Sequence, residues 1–137
     1  MQQVDVLRAT LDALDRLQID YAIVGSYASG IWGEPRMTLD VDLVVLLNRT
    51  QVEPLQEAFG DEFYVSRAAM IEAVDRLSQF NVIHPTSGNK IDFMLLPAGP
   101  PTPPEIAHRV EVQILPDLLA YVAAPEDVIS RSSAIIN

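Results

Sequence analysis

Val4, Leu7, Leu11, Leu14 and Leu17 recur three or four residues apart, with Asp and Arg filling positions between them. That period gathers the apolar side chains on one stripe, so residues 3–18 are expected to form an amphipathic helix. The pattern then changes. Tyr21-Ala22-Ile23-Val24 is a short apolar run ending at Gly25, the form of a buried strand entering a turn, and Ser26 is placed to cap a short helix over residues 27–31. Trp32-Gly33-Glu34-Pro35-Arg36 reads as a loop. Residues 39–47 make the strongest strand signal in the chain, a run of Leu and Val broken only by Asp40 and Asp42.

Two helices are expected next, over residues 50–59 and 66–77. Residues 80–84 and 90–96 then flank Pro85-Thr86-Ser87-Gly88-Asn89, which has the composition of a hairpin turn. Pro97, Pro100, Pro101, Pro103 and Pro104 follow within eight residues, so this stretch is expected to be a stiff loop without helix. Residues 110–115 read as a strand, and residues 118–122 as a short helix or strand. Pro125-Glu126-Asp127 resembles a first helical turn, with proline early and acids at the positive end of the dipole. The expectation is one α/β (α+β) domain over residues 1–137, a mixed β-sheet flanked by helices, with its C-terminal helical part curtailed.

Composition narrows the function classes. The formal net charge is −10, and the chain has 9 Lys+Arg, of which Lys90 is the sole lysine. Such a balance supplies no broad attraction for a phosphate backbone, so extended nucleic-acid binding is disfavoured. With no cysteine and only His84 and His108, a thiolate or histidine-rich metal site is disfavoured too, and oxygen ligands suit magnesium or manganese. Nothing near the N-terminus is long and apolar enough for a signal peptide or membrane span, so the expected compartment is the cytoplasm.

Against this background the acids inside apolar runs stand out. Carboxylates in buried strands are costly unless a cation compensates them. In a strand, residues two apart share a face, so Asp40 and Asp42 are expected side by side while Val41 and Leu43 face the core. Asp92, within Lys90-Ile91-Asp92-Phe93, can join them if its strand lies alongside. Three carboxylates within about 5 Å would repel by roughly 3 kcal/mol per pair at an effective dielectric near 20. Two magnesium ions would neutralise such a cluster and flank a transferring phosphoryl group. Gly25 allows close backbone approach, and the helix start at Ser26 offers amide donors to phosphate oxygens.

Val24-Gly25-Ser26-Tyr27-Ala28, Arg36-Met37-Thr38-Leu39-Asp40-Val41-Asp42 and Lys90-Ile91-Asp92 together resemble the polymerase-beta-type nucleotidyltransferase superfamily. More closely, they resemble its small prokaryotic branch of abortive-infection toxin-like proteins and minimal nucleotidyltransferases. The resemblance implies the nucleotidyltransferase fold. It implies that Gly25 and Ser26 hold the phosphates of a nucleoside triphosphate. It implies that Asp40 and Asp42 bind two Mg2+ ions, with Mn2+ as a substitute, and that Asp92 binds one and helps activate an acceptor hydroxyl. Arg36 is a further candidate for a phosphate. The expected reaction is metal-dependent transfer of a nucleoside monophosphate to a hydroxyl acceptor of unknown identity.

The alternative is an inactive interaction module of the same fold, bound to a protein partner in a toxin–antitoxin or phage-defence pair. Blander readings attach to other residues. Tyr27 and Trp32 are more often core than base-stacking, and Thr38 is more often structural. His84 belongs to a turn and His108 to a solvated segment. Lys90 shares the strand face of Asp92, where an ion pair and a phosphate contact are equally expected.

Overall fold

A computed structural model of the chain describes residues 3–31 and 40–127, with the backbone alone described for Ser26, Ser29, Gly30 and Asp40. Arg36, Thr38, Trp32 and the segment from residue 128 onward lie outside the described residues, as does any continuation of the helical turn at 125–127.

The apolar stripe of the first segment forms α1 (Gln3–Arg16), burying Val6, Leu7, Leu11 and Leu14. The helix stops two residues short of the expected end because Gln18 takes a positive φ of 56°, a left-handed geometry that a helix cannot continue through. β1 (Tyr21–Val24) follows, then α2 (Gly25–Ile31) and β2 (Asp40–Val45). A 3-10 turn at Arg49–Gln51 leads into α3 (Val52–Phe59), and α4 (Arg67–Arg76) starts where the Ser66 hydroxyl accepts the Ala69 N–H. β3 (Gln79–His84) and β4 (Asn89–Leu95) form the expected hairpin. β5 (Val110–Leu115) and β6 (Leu118–Val122) form a second one, which settles residues 118–122 as strand.

One expectation is corrected. The proline-dense stretch ends in a short helix, α5 (Pro104–Ala107). Proline fits the first turn of a helix, where its missing N–H has no partner to lose. The carbonyl of Pro103 accepts the N–H groups of Ile106 and Ala107.

The six strands make one mixed sheet in the order β3-β4-β2-β1-β6-β5. β1 pairs antiparallel with β2, while β2 pairs parallel with β4 and β1 parallel with β6. A parallel β2–β4 pair requires the chain to cross back between them, and the segment holding α3, α4 and β3 does so. Because paired residues share a face, the sheet has two unlike sides. On one, Val41, Leu43, Ile91, Phe93, Phe80 and Val82 are buried in the core. Phe93 stacks on Phe80 at 4.8 Å and meets Phe59 edge-on at 6.4 Å. Phe93→Ala is expected to cost about 3–5 kcal/mol, read as a lower urea midpoint with an unchanged slope. It should also loosen the strand register on which neighbouring Asp92 depends.

The other side is only partly covered, and α2 contacts β1 and β2. Its rows run from buried Ala22 and Val44 to half-buried Met94 and exposed Gln79. That face therefore opens toward the β3 edge.

Tyr21 anchors the opposite half of the sheet. Its hydroxyl accepts the Tyr121 backbone N–H at 3.1 Å, and the two rings meet edge-on at 5.8 Å. Burial pushes the phenol up to about 12, against partial relief from that hydrogen bond. An unfolded tyrosine ionises near pH 10, so the folded state binds the proton more tightly. The resulting stability is complete below about pH 10 and is lost as pH rises toward about 12. Tyr21→Phe should flatten this alkaline decline in a pH series of thermal melts.

Candidate functional site

The site grows from one row of the open face. Val24 of β1 pairs with Asp42 of β2, Asp42 with Asp92 of β4, and Asp92 with Asn81 of β3. Directly opposed residues point the same way, so the two carboxylates stand side by side, on strands about 4.8 Å apart. Burial falls along this row. Val24 is buried, Asp42 and Asp92 are half-buried, and Asn81 is exposed. The acids therefore sit where apolar cover ends and solvent begins.

Gly25 fixes the inner wall. Its φ is +72°, and a Cβ built there would overlap Oδ2 of Asp42 and lie 3.2 Å from its Cβ and Cγ. The missing side chain is the space that the Asp42 carboxylate occupies. Beyond the phosphate approach expected of this glycine, the fold gives it a second role, because Asp42 needs the room.

Lys90 lies one row nearer the start of β4, paired with Asp40 on one side and Ile83 on the other. Its Nζ is 3.8 Å from Oδ1 of Asp92, with side-chain exposures of 34% and 25%. The ion pair anticipated between these residues is present. Asp40 is the first residue of β2, two positions before Asp42, and Ser26 is the second residue of α2.

Other candidates fall elsewhere. Tyr27 is buried in the core, as its bland reading held. His84 ends β3 and is buried, with Nδ1 2.7 Å from the Ser87 hydroxyl across the hairpin turn. His108 is exposed, as expected of a solvated segment, and its Nδ1 lies 3.2 Å from Oδ2 of Asp127. Together with Glu126, these two form a group whose ligand atoms all lie within 4.8 Å of one another. The contact spans 19 positions along the chain, a closure that no local pattern announces. Asn81, by contrast, could have been found from the hairpin. A turn that sets His84 opposite Asn89 sets Asn81 opposite Asp92.

A cavity of about 820 Å³ lies away from the acid pair, between α1 and the β3–β4 turn. Asp5, Asp12, Asp61 and Glu62 line it, and its Arg8 is engaged by Asp117 at 3.0 Å. Such a lining repels a triphosphate, so the open sheet face remains the candidate site. No helix among the described residues is long and apolar enough to cross a membrane.

The donor set fits a hard divalent cation: carboxylate oxygens from adjacent strands, at the edge of solvent, beside a glycine that leaves them room. No family model and no curated protein matches the chain by sequence. Solved structures do match. The lincosamide antibiotic adenylyltransferase LnuA, crystallised with lincomycin, aligns with a TM-score of 0.60 at 11% identity, covering 93% of this chain and 82% of that one. TM1012 of Thermotoga maritima, a nucleotidyltransferase by assignment, aligns at 0.58 and 14% identity, covering 98% and 87%. At these identities the likeness concerns architecture, and it does not single out the small prokaryotic branch. The chain has the mixed-sheet fold of these nucleotidyltransferase structures.

Proposed function

We propose that the protein is a metal-dependent nucleotidyltransferase that moves a nucleoside monophosphate from a nucleoside triphosphate to a hydroxyl acceptor. The observation that carries this reading is the row Val24–Asp42–Asp92–Asn81, with Gly25 against the Asp42 carboxylate. Asp42 and Asp92, joined by Asp40, would hold Mg2+, or Mn2+ in its place. Bound there, the cations would supply charge neutralisation and polarisation of the reacting phosphate.

The remaining roles belong to the chain itself. Gly25 and Ser26 at the start of α2 hold the triphosphate on the β1–β2 side, and Arg36 is a further candidate for its phosphates. Asp92 faces the open β3 side, from which the acceptor arrives, and takes the proton of its hydroxyl. The acceptor oxygen bonds to the α-phosphorus as the bond to the bridging oxygen breaks, and pyrophosphate leaves. Positioning and charge compensation carry the rate, since phosphoryl-type transfer asks little covalent chemistry of the protein.

LnuA, with its antibiotic ligand, makes a compact hydroxylated molecule the first acceptor class to test. The net charge of −10 points the same way, away from RNA. The experiment is magnesium-dependent release of pyrophosphate from each of four nucleoside triphosphates, with lincomycin and a panel of small polyols as probe acceptors. Pyrophosphate with a stoichiometric nucleotidyl product supports the reading. Free phosphate without pyrophosphate would indicate a phosphohydrolase. No turnover, with a stable protein partner instead, would favour the interaction module.

A further inference from the structure

We infer that Lys90 is a built-in counter-ion of the acid pair, competing with the divalent cation for Asp92 and thereby setting the site's metal affinity. The inference rests on the proposed reading of Asp42 and Asp92 as metal ligands. Three observations carry it. Lys90 is the sole lysine of the chain. It stands on the same strand face as Asp92, with Nζ 3.8 Å from Oδ1 and both side chains mostly covered. Its cross-strand neighbour is Asp40, so it lies in the row next to Asp42–Asp92.

Asp92 has a compensating charge close by in Lys90. An ammonium that close to a ligand oxygen stabilises the metal-free carboxylates. It repels a divalent ion arriving at the same oxygen. Binding must then move the Lys90 head group on its flexible stem, or meet its charge. Lys90 is thus a positioning residue: it keeps the acids together before metal arrives and weakens the metal's hold afterwards. A site so balanced would fill fully only when nucleotide phosphates add their own ligands.

The test is titration with Mn2+ alone, without nucleotide, followed by calorimetry and by the loss of free-ion paramagnetic signal. Wild type, Lys90→Met, Lys90→Arg and Asp92→Asn are compared. Lys90→Met keeps the stem's packing and removes the charge. It should bind Mn2+ about tenfold or more tightly, melt lower without metal, and gain more from added Mn2+ than wild type does. Lys90→Arg should stay within about twofold of wild type, because it keeps the charge. Equal or weaker Mn2+ binding by a folded Lys90→Met protein overturns the inference while leaving the site intact. Mn2+ binding that Asp92→Asn does not change, or its absence from wild type and Lys90→Met alike, removes the metal-site reading itself and the inference with it.

Discussion

An Asp42→Asn variant is expected to fold normally yet lose magnesium-dependent nucleotidyl transfer by about 10³-fold or more, a loss on the order of 4 kcal/mol of transition-state stabilisation. The carboxamide is nearly the same size as the carboxylate, so the close fit against Gly25 survives. What disappears is a negative charge beside Asp92. Two carboxylates about 5 Å apart repel by roughly 3 kcal/mol at an effective dielectric near 20, and solvent at this half-open site reduces that figure. Removing one should therefore leave the melting temperature unchanged or raised. Loss of activity together with retained stability is the signature of a site residue. A structural aspartate would show the reverse. Single-turnover assays and thermal melts on the same preparation check both halves.

Gly25→Ala is expected to damage stability and activity together, for one geometric reason. An alanine at a φ of +72° is strained, at a cost of roughly 1–2 kcal/mol. Its Cβ also overlaps the Asp42 carboxylate, so either that side chain rotates or the β1–α2 junction shifts. Both carry Asp42 away from its place opposite Asp92. Displacement by about 1 Å at a reacting centre commonly costs around 10²-fold in rate. The melting temperature should fall by several degrees, and transfer by about 10²-fold. An Asp42→Gly change added to Gly25→Ala should restore part of the lost stability without restoring activity.

Much of the framework was legible because it rests on periodicity. α1, β1 and the β3–β4 hairpin follow from apolar spacing and turn composition, and Val41 and Leu43 are buried as alternation required. The strand pair bearing Asp42 and Asp92 was legible as two apolar runs each holding an acid, although only the fold shows their direct opposition. Other features resisted. Residues 118–122 form a short apolar run that periodicity cannot assign; pairing with β5 makes them a strand. α5 was hidden by proline density, since proline breaks helices everywhere except at their first turn. The His108–Asp127 contact depends on the β5–β6 hairpin returning the chain to itself. The second role of Gly25, making room for Asp42, is a contact between the start of α2 and β2 and leaves no trace in a local motif.

A metal–triphosphate complex held on the Asp42–Asp92 row is the feature on which the proposed chemistry depends. Its most direct test is calorimetric titration of each nucleoside triphosphate into wild type and Asp42→Asn/Asp92→Asn, with and without magnesium. The account predicts binding of at least one triphosphate that requires magnesium and vanishes in the double variant. Binding that survives in the double variant, or that ignores magnesium, would contradict it.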